Sequence, residues 1–167
     1  MRRLLLITLL ACLAVPAAAL AARAAVGDGT LAVRGAVGTL RLDIDGAVVG
    51  RLETGQLEVI GQSIDDCRDI DVWGADRTRT RITGTGATSC LFTELVVGGT
   101  LQPIRFRLAL DAATTLIIRS TDGLSLSAVG QGRGIIKGND GTYSLNGHQF
   151  LAVPEEGVSF RLAGTLE

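Results

Sequence analysis

The sequence is poor in the residues on which most enzymes build their chemistry. Histidine occurs once, as His148, and cysteine three times, so metal sites that need several of these ligands are excluded by count. Aromatic residues are 4% of the chain, with Trp73 the sole tryptophan, which is thin for a sugar-binding platform. Lysine appears only as Lys137. No G-x-S-x-G nucleophile elbow is present; "GLSLS" does not match it. The glycine-rich "GQGRG" at 130–134 lacks the GxxxxGK[ST] pattern, and strand-like "IIKG" follows where a phosphate loop opens a helix. It reads as a bulged or twisted strand, and no cofactor is implied.

Long apolar runs are also missing, with one exception. "LLLITLLACLAV" follows the positive "MRR", is broken by Pro16, and leads into "AAALAARAA". Its 12 residues fall short of the ~20 needed to span a bilayer, and the small residues suit a signal peptidase. The reading is a signal peptide over 1–24, cut between Ala19 and Ala25, then a single domain over 25–167. That domain has no transmembrane segment and is secreted or held in the cell envelope. Taking Arg2, Arg3 and Arg23 from the 16 basic residues leaves 13 against 17 acidic ones, net charge −4. A mildly acidic chain is no partner for nucleic acid, which demands a basic footprint. Cys12 leaves with the signal. Cys67 and Cys90 remain as an even pair in an oxidising compartment, and a disulfide between them is expected.

What the sequence does have is alternation. In "TLAVRG", "TLRLDID", "AVVGRLE" and "QLEVIG", apolar residues recur every second position, the mark of half-buried strands. Gly35, Gly38, Gly46 and Gly55 punctuate these runs as turns. "RTRTRIT", "CLFTELVV", "PIRFRLAL" and "TTLIIRST" read as further strands. The expectation is an all-β fold, an antiparallel sandwich, meander or barrel of short strands, with a β-solenoid as the alternative. Two hairpins are predicted. "TDG" as a three-residue loop sets Ile118 opposite Leu126, with Gly123 left-handed. Asn146-Gly147 is a two-residue turn that sets Leu145 opposite His148 and Tyr143 opposite Phe150, leaving His148 as a packed or rim residue.

Charge is unevenly placed. The segment Asp65–Asp76 carries five acids and one arginine, while Arg77, Arg79 and Arg81, and then Arg105 and Arg107, recur on single strand faces. Asp69 and Asp71 stand two apart as in a calcium loop, but the glycine and final glutamate of an EF-hand are missing. Cross-strand Arg–Asp pairing is the expected use of these charges.

"DGTLAVRGAVGTLRLDIDGAVVGRL" and "LSLSAVGQGRGIIKGNDGTYSLNG" resemble the two ends of small, secreted, glycine-rich all-β bacterial proteins of unknown function. The resemblance covers most of the mature chain, implies an exported all-β protein, and carries over no catalytic residue. The glycine rhythm is also similar to that of bactofilin-type polymers. The functional expectation is a non-catalytic structural or binding protein of the bacterial cell envelope, with protein or surface polymer as partner. The alternative is a secreted hydrolase using paired carboxylates of the 65–76 segment.

Overall fold

Alternation drives nearly the whole chain into strands. The computed structural model describes residues 28–163; the expected signal segment 1–24 lies outside them. The strands are β1 (Gly29–Leu52), β2 (Gly55–Gly61), β3 (Val72–Trp73), β4 (Ala75–Arg81), β5 (Thr88–Val97), β6 (Thr100–Gln102), β7 (Ile104–Leu110), β8 (Thr115–Leu145), β9 (Leu151–Ala152) and β10 (Val158–Leu162). The one helical piece among the described residues is a 3-10 turn at Cys67–Asp69. The fold is all-β, an antiparallel sheet nearly closed into a barrel, with β3-β7-β1-β8-β2-β5-β4 as the main strand order.

Two long strands wind around each other to make this shape. Leu31 of β1 is flanked by Ala128 on one side and Leu145 on the other, Val33 by Leu126 and Tyr143, and Leu40 by Ile118 and Ile136. β8 therefore lies on both sides of β1, in two registers. The side chains of Asp43 hold both neighbours at once: its carboxylate accepts from Thr115 Oγ1 at 2.6 Å and faces Arg133 Nε at 3.6 Å. β2 prolongs β1 along β8, since Leu52 opposes Leu124 and Gly55 opposes Ser120. Glu53 N to Gly123 O (2.9 Å) and Thr121 N to Thr54 O (3.0 Å) carry the pairing across the bulge between them.

Such winding requires sharp bends, and glycine supplies them by contact. Gly46 opposes Gly130 and Gly38 opposes Gly138. A Cβ on Gly46 would run into Val129 O and the Gly130 Cα, both backbone atoms that cannot swing aside. Glycines read as turns in the sequence thus bend a continuous strand rather than end it. A related use appears at Gly50 and Gly134, whose register partners Phe106 and Phe160 lay their rings over the space a side chain would take.

Both predicted hairpins are corrected in register. Ile118 pairs with Leu40 and Leu57, and Leu126 with Val33 and Gly50, so "TDG" is not a hairpin turn. Gly123 is left-handed as expected (φ 82°), but it serves the bulge opposite Glu53. Asn146 and Gly147 do form a tight turn, with φ of 51° and 73° and His148 N donating to Leu145 O at 3.0 Å. Pairing then slips by one residue: Tyr143 opposes Leu151, not Phe150, and the ring of Phe150 lies against the Arg34 guanidinium, 4.0 Å from it. His148 is exposed beside the turn rather than packed.

Inward-facing residues of these strands make one hydrophobic cluster, with Leu42, Val48, Phe92, Ile104 and Leu116 fully buried. Each such side chain contributes about 1.5–3 kcal/mol relative to exposure. The free edges of the main sheet, β3 and β4, adjoin in sequence through Gly74 (φ 75°). Two devices clasp them. Arg77 of β4 donates to Val72 O and Arg68 O, and the Cys67–Cys90 disulfide, Cα–Cα 5.5 Å, ties the 3-10 turn to β5.

Two measurements check this account. Gly46→Val should cost about 3 kcal/mol or more in urea unfolding, since it forces backbone apart. Gly147→Val, which meets no atom within 4 Å and suffers only from its φ, should cost about 1–3 kcal/mol. A Gly46 variant no worse than the Gly147 variant would remove the close-approach argument. Replacing Cys67 and Cys90 together by serine should lower stability by about 3 kcal/mol, and reduction of the native protein should reproduce that loss.

Candidate functional site

Two clefts of opposite charge lie along β7, one at its C-terminal end and one across Arg105–Arg107. The acidic one forms where the chain leaves the sheet after β2. Asp66 caps the 3-10 turn, its Oδ1 accepting from Arg68 N at 3.0 Å. Asp111 sits in the turn between β7 and β8. Its carboxylate accepts from Thr114 Oγ1 at 2.5 Å, from Ser63 Oγ at 2.8 Å and from Ala113 N at 3.1 Å. Those bonds, Thr114 first and then Ser63, hold the Asp111 carboxyl below the usual carboxylate range, and partial burial opposes them. Asp65, Asp66, Asp69, Asp71 and Asp111 line a cleft of about 480 Å³ with Arg107 at its border.

The cross-strand pairing expected of these acids is not found. Among the described residues, no carboxylate of the 65–76 segment has an arginine within ion-pair distance. The reason is register. Arg77, Arg79 and Arg81 oppose Phe92, Cys90 and Thr88, on an edge strand with no ladder partner beyond it. No set of three or more acidic, histidine or cysteine side chains converges as a metal site among the described residues.

The basic cleft lies on the outer face of β3, β7, β1 and β8. Alternation in β7 sends Ile104, Phe106 and Leu108 inward and Arg105 and Arg107 outward. Register then assembles a row: Trp73 opposes Arg105, Arg105 opposes Arg51, and Arg51 opposes Ser125. In the next row Arg107 opposes Val49, and Val49 opposes Ser127. Arg34 closes the far end, stacked on Phe150. The groove measures about 800 Å³ and its lining holds four arginines and no carboxylate. Arg51 pairs with Glu53 at 2.7 Å, outside that lining. Arg105 and Arg107 have no acidic partner among the described residues. Trp73 stands 53% exposed at the rim. Uncompensated guanidinium groups on a fixed sheet are binding groups for an oxyanion, which they grip through paired N–H donors.

Sequence reading found Arg105 and Arg107 on one face but assigned them to the acids of 65–76. It missed Arg34, Arg51, Ser125 and Ser127, which only the β1–β8 register brings alongside. The one available signal was "RFR" followed by "LAL", which shows an outward face carrying charge and little else. Comparison with protein-family models, with curated proteins and with solved structures finds no match to this chain.

The two perturbed carboxylates predict an acid response. Burial raises the pKa of Asp43, but hydrogen bonds from Arg41 and Thr115 and the charges of Arg41 and Arg133 bring it below 3.8. Asp111 is lowered as well. A group with a depressed folded pKa stabilises the fold above its unfolded pKa, and that stability is lost as pH falls through the folded value. The urea midpoint should therefore drop as pH is taken from about 7 to below about 3.8. Asp43→Asn should be less stable at neutral pH and show a shallower drop; an unchanged slope would count against the assignment.

Proposed function

We propose that this chain is a non-catalytic binding protein of the bacterial cell envelope, acting outside the cytoplasm, and that it holds its partner in the arginine-lined groove. One observation carries the reading: four outward arginines line a single concave surface that contains no carboxylate. Positive charge assembled by register, on strands whose inner faces are core, is an arrangement suited to recognition. The N-terminal pattern of "MRR" and an apolar 12-residue run supports export. The Cys67–Cys90 disulfide is compatible with an oxidising compartment, and no helix among the described residues is long and apolar enough to cross a membrane.

The acid-lined cleft favours a second reading, a hydrolase working through paired carboxylates. Such chemistry needs one carboxyl kept protonated beside one that is ionised. Asp111 is held in the ionised form, and Asp66 is engaged as a cap. The hydrolase reading therefore rests on Asp65, Asp69 and Asp71.

Expression of the full chain in a bacterial host tests the compartment. The protein should appear in the periplasmic or envelope fraction, shortened at its N-terminus and with its disulfide formed. Recovery at full length in the cytoplasm would overturn export. Solubilised envelope polymer passed over the immobilised protein tests the role. Retention should fall about tenfold or more in Arg105→Gln/Arg107→Gln and stay unchanged in Asp69→Asn/Asp71→Asn. Loss of glycoside turnover in the aspartate variant, with the arginine variant intact, would favour the hydrolase.

A further inference from the structure

We infer that the groove takes a linear polysaccharide bearing carboxylate groups, an inference that rests on the groove being the binding site. The argument begins with its floor. β7, β1 and β8 are interior strands, each paired on both sides where they underlie the groove. Their backbone groups are already satisfied, so a peptide cannot add to them as an extra strand, which requires an open edge. The one open edge at the groove, β3, is two residues long, so recognition comes from side chains.

Those side chains are of three kinds, and each selects something. Guanidinium groups of Arg105 and Arg107, which have no acidic partner among the described residues, offer planar forks matched to carboxylates, while that of Arg51 is held by Glu53. Hydroxyls of Ser125 and Ser127, both exposed, donate to and accept from neutral hydroxyls. Trp73 presents a half-exposed ring, apolar on its face and able to donate at its edge. A chain of sugar rings has the complementary set: an apolar ring face, hydroxyls around it, and an acidic group on each charged unit. Spacing agrees. Trp73, Arg105 and Arg51 sit on three successive strands, roughly 4.8 Å apart, so the row spans about 10 Å. That is the scale of two pyranose rings laid across the strands. Scarcity of aromatics in the composition does not weaken this, because one tryptophan at the groove rim supplies the platform.

Other anions fit less well. Nucleic acid is recognised through a broad basic footprint, and the remainder of this chain is net acidic. A bilayer surface is flat and cannot enter a concavity. Arg34, its guanidinium 4.0 Å from the Phe150 ring, is the fourth arginine of the lining.

Titration calorimetry with the exported, disulfide-bonded protein tests the inference, using oligogalacturonate as the carboxylate polymer, dextran as a neutral one and polyphosphate as a non-sugar polyanion. Oligogalacturonate should bind and dextran should not. Arg105→Gln/Arg107→Gln and Trp73→Ala should each weaken binding about tenfold or more, and raised salt should weaken it as well. Arg105→Lys, which keeps the charge and loses the fork, should fall between; it also serves if the double variant does not fold. Dextran binding that depends on Trp73 but not on the arginines would overturn the carboxylate while keeping the groove. Polyphosphate binding more tightly than oligogalacturonate, and indifferent to Trp73→Ala, would overturn the sugar. Failure of all three probes would overturn the ligand class, and retention of envelope polymer on the Arg105/Arg107 variant would then decide the groove separately.

Discussion

This fold depends on places where backbone touches backbone. At Gly46–Gly130 and Gly38–Gly138 the strands meet with no side chain between them, Gly132 against Ile44 and Gly141 against Ala36 repeat the contact, and these approaches let β1 and β8 bend enough to pass each other twice. From that bend follows the double register, with β8 on both flanks of β1. From the double register follows near-closure, which leaves just two free edges in the main sheet to be secured. The groove is a further consequence. Arg34 and Arg51 belong to the same strand, yet they reach one surface because the chain turns at Gly38 and Gly46 and both limbs flank the Leu124–Gly130 stretch of β8.

That dependence explains what the sequence could and could not reveal. Strand alternation is a local property, so Ile104, Phe106 and Leu108 were legible as inward and Arg105 and Arg107 as outward. The Asn146-Gly147 turn was legible for a similar reason, since its two residues carry the needed positive φ themselves. Whether a glycine ends a strand or bends it is decided by what lies opposite, and for Gly46 that is a residue far along the chain. Phe150 left its expected place against Tyr143 for a partner, Arg34, that no local pattern indicates. Charge failed in the same way. Acids and arginines close in sequence looked like partners, but the 3-10 turn at Cys67–Asp69 carries the acids off the sheet while β4 and β7 keep their arginines on it.

Charge separation is the outcome. An acidic cleft at the C-terminal end of β7 and a basic groove across Arg105–Arg107 meet at Arg107, which lines both. Charges of opposite sign are satisfied outside the clefts by Arg41–Asp43 and at the edge of the groove by Arg51–Glu53, each pair two residues apart in sequence. The edge strand β4 uses its own arginines differently. Arg79 and Arg81 face solvent along an unpaired edge, and repeated positive charge there discourages a second sheet from adding to it.

The winding of β1 with β8 also sets an order of events in time. The β1–β8 ladder joins no residues close in sequence; Leu31 waits for Ala128 and then for Leu145. Loop-closure entropy must be met before any of these pairings returns energy, so this ladder is slow to form. A nascent chain that lacks β8 cannot complete it, whatever local hairpins such as β4–β5 it has made. For a protein that passes through a membrane before it folds, as proposed here, that delay is an asset, and the disulfide is free of it: Cys67 and Cys90 stand 23 residues apart, and the pairing of Cys90 with Val59 and Arg79 belongs to the local β2, β4 and β5 ladder rather than to the wrap.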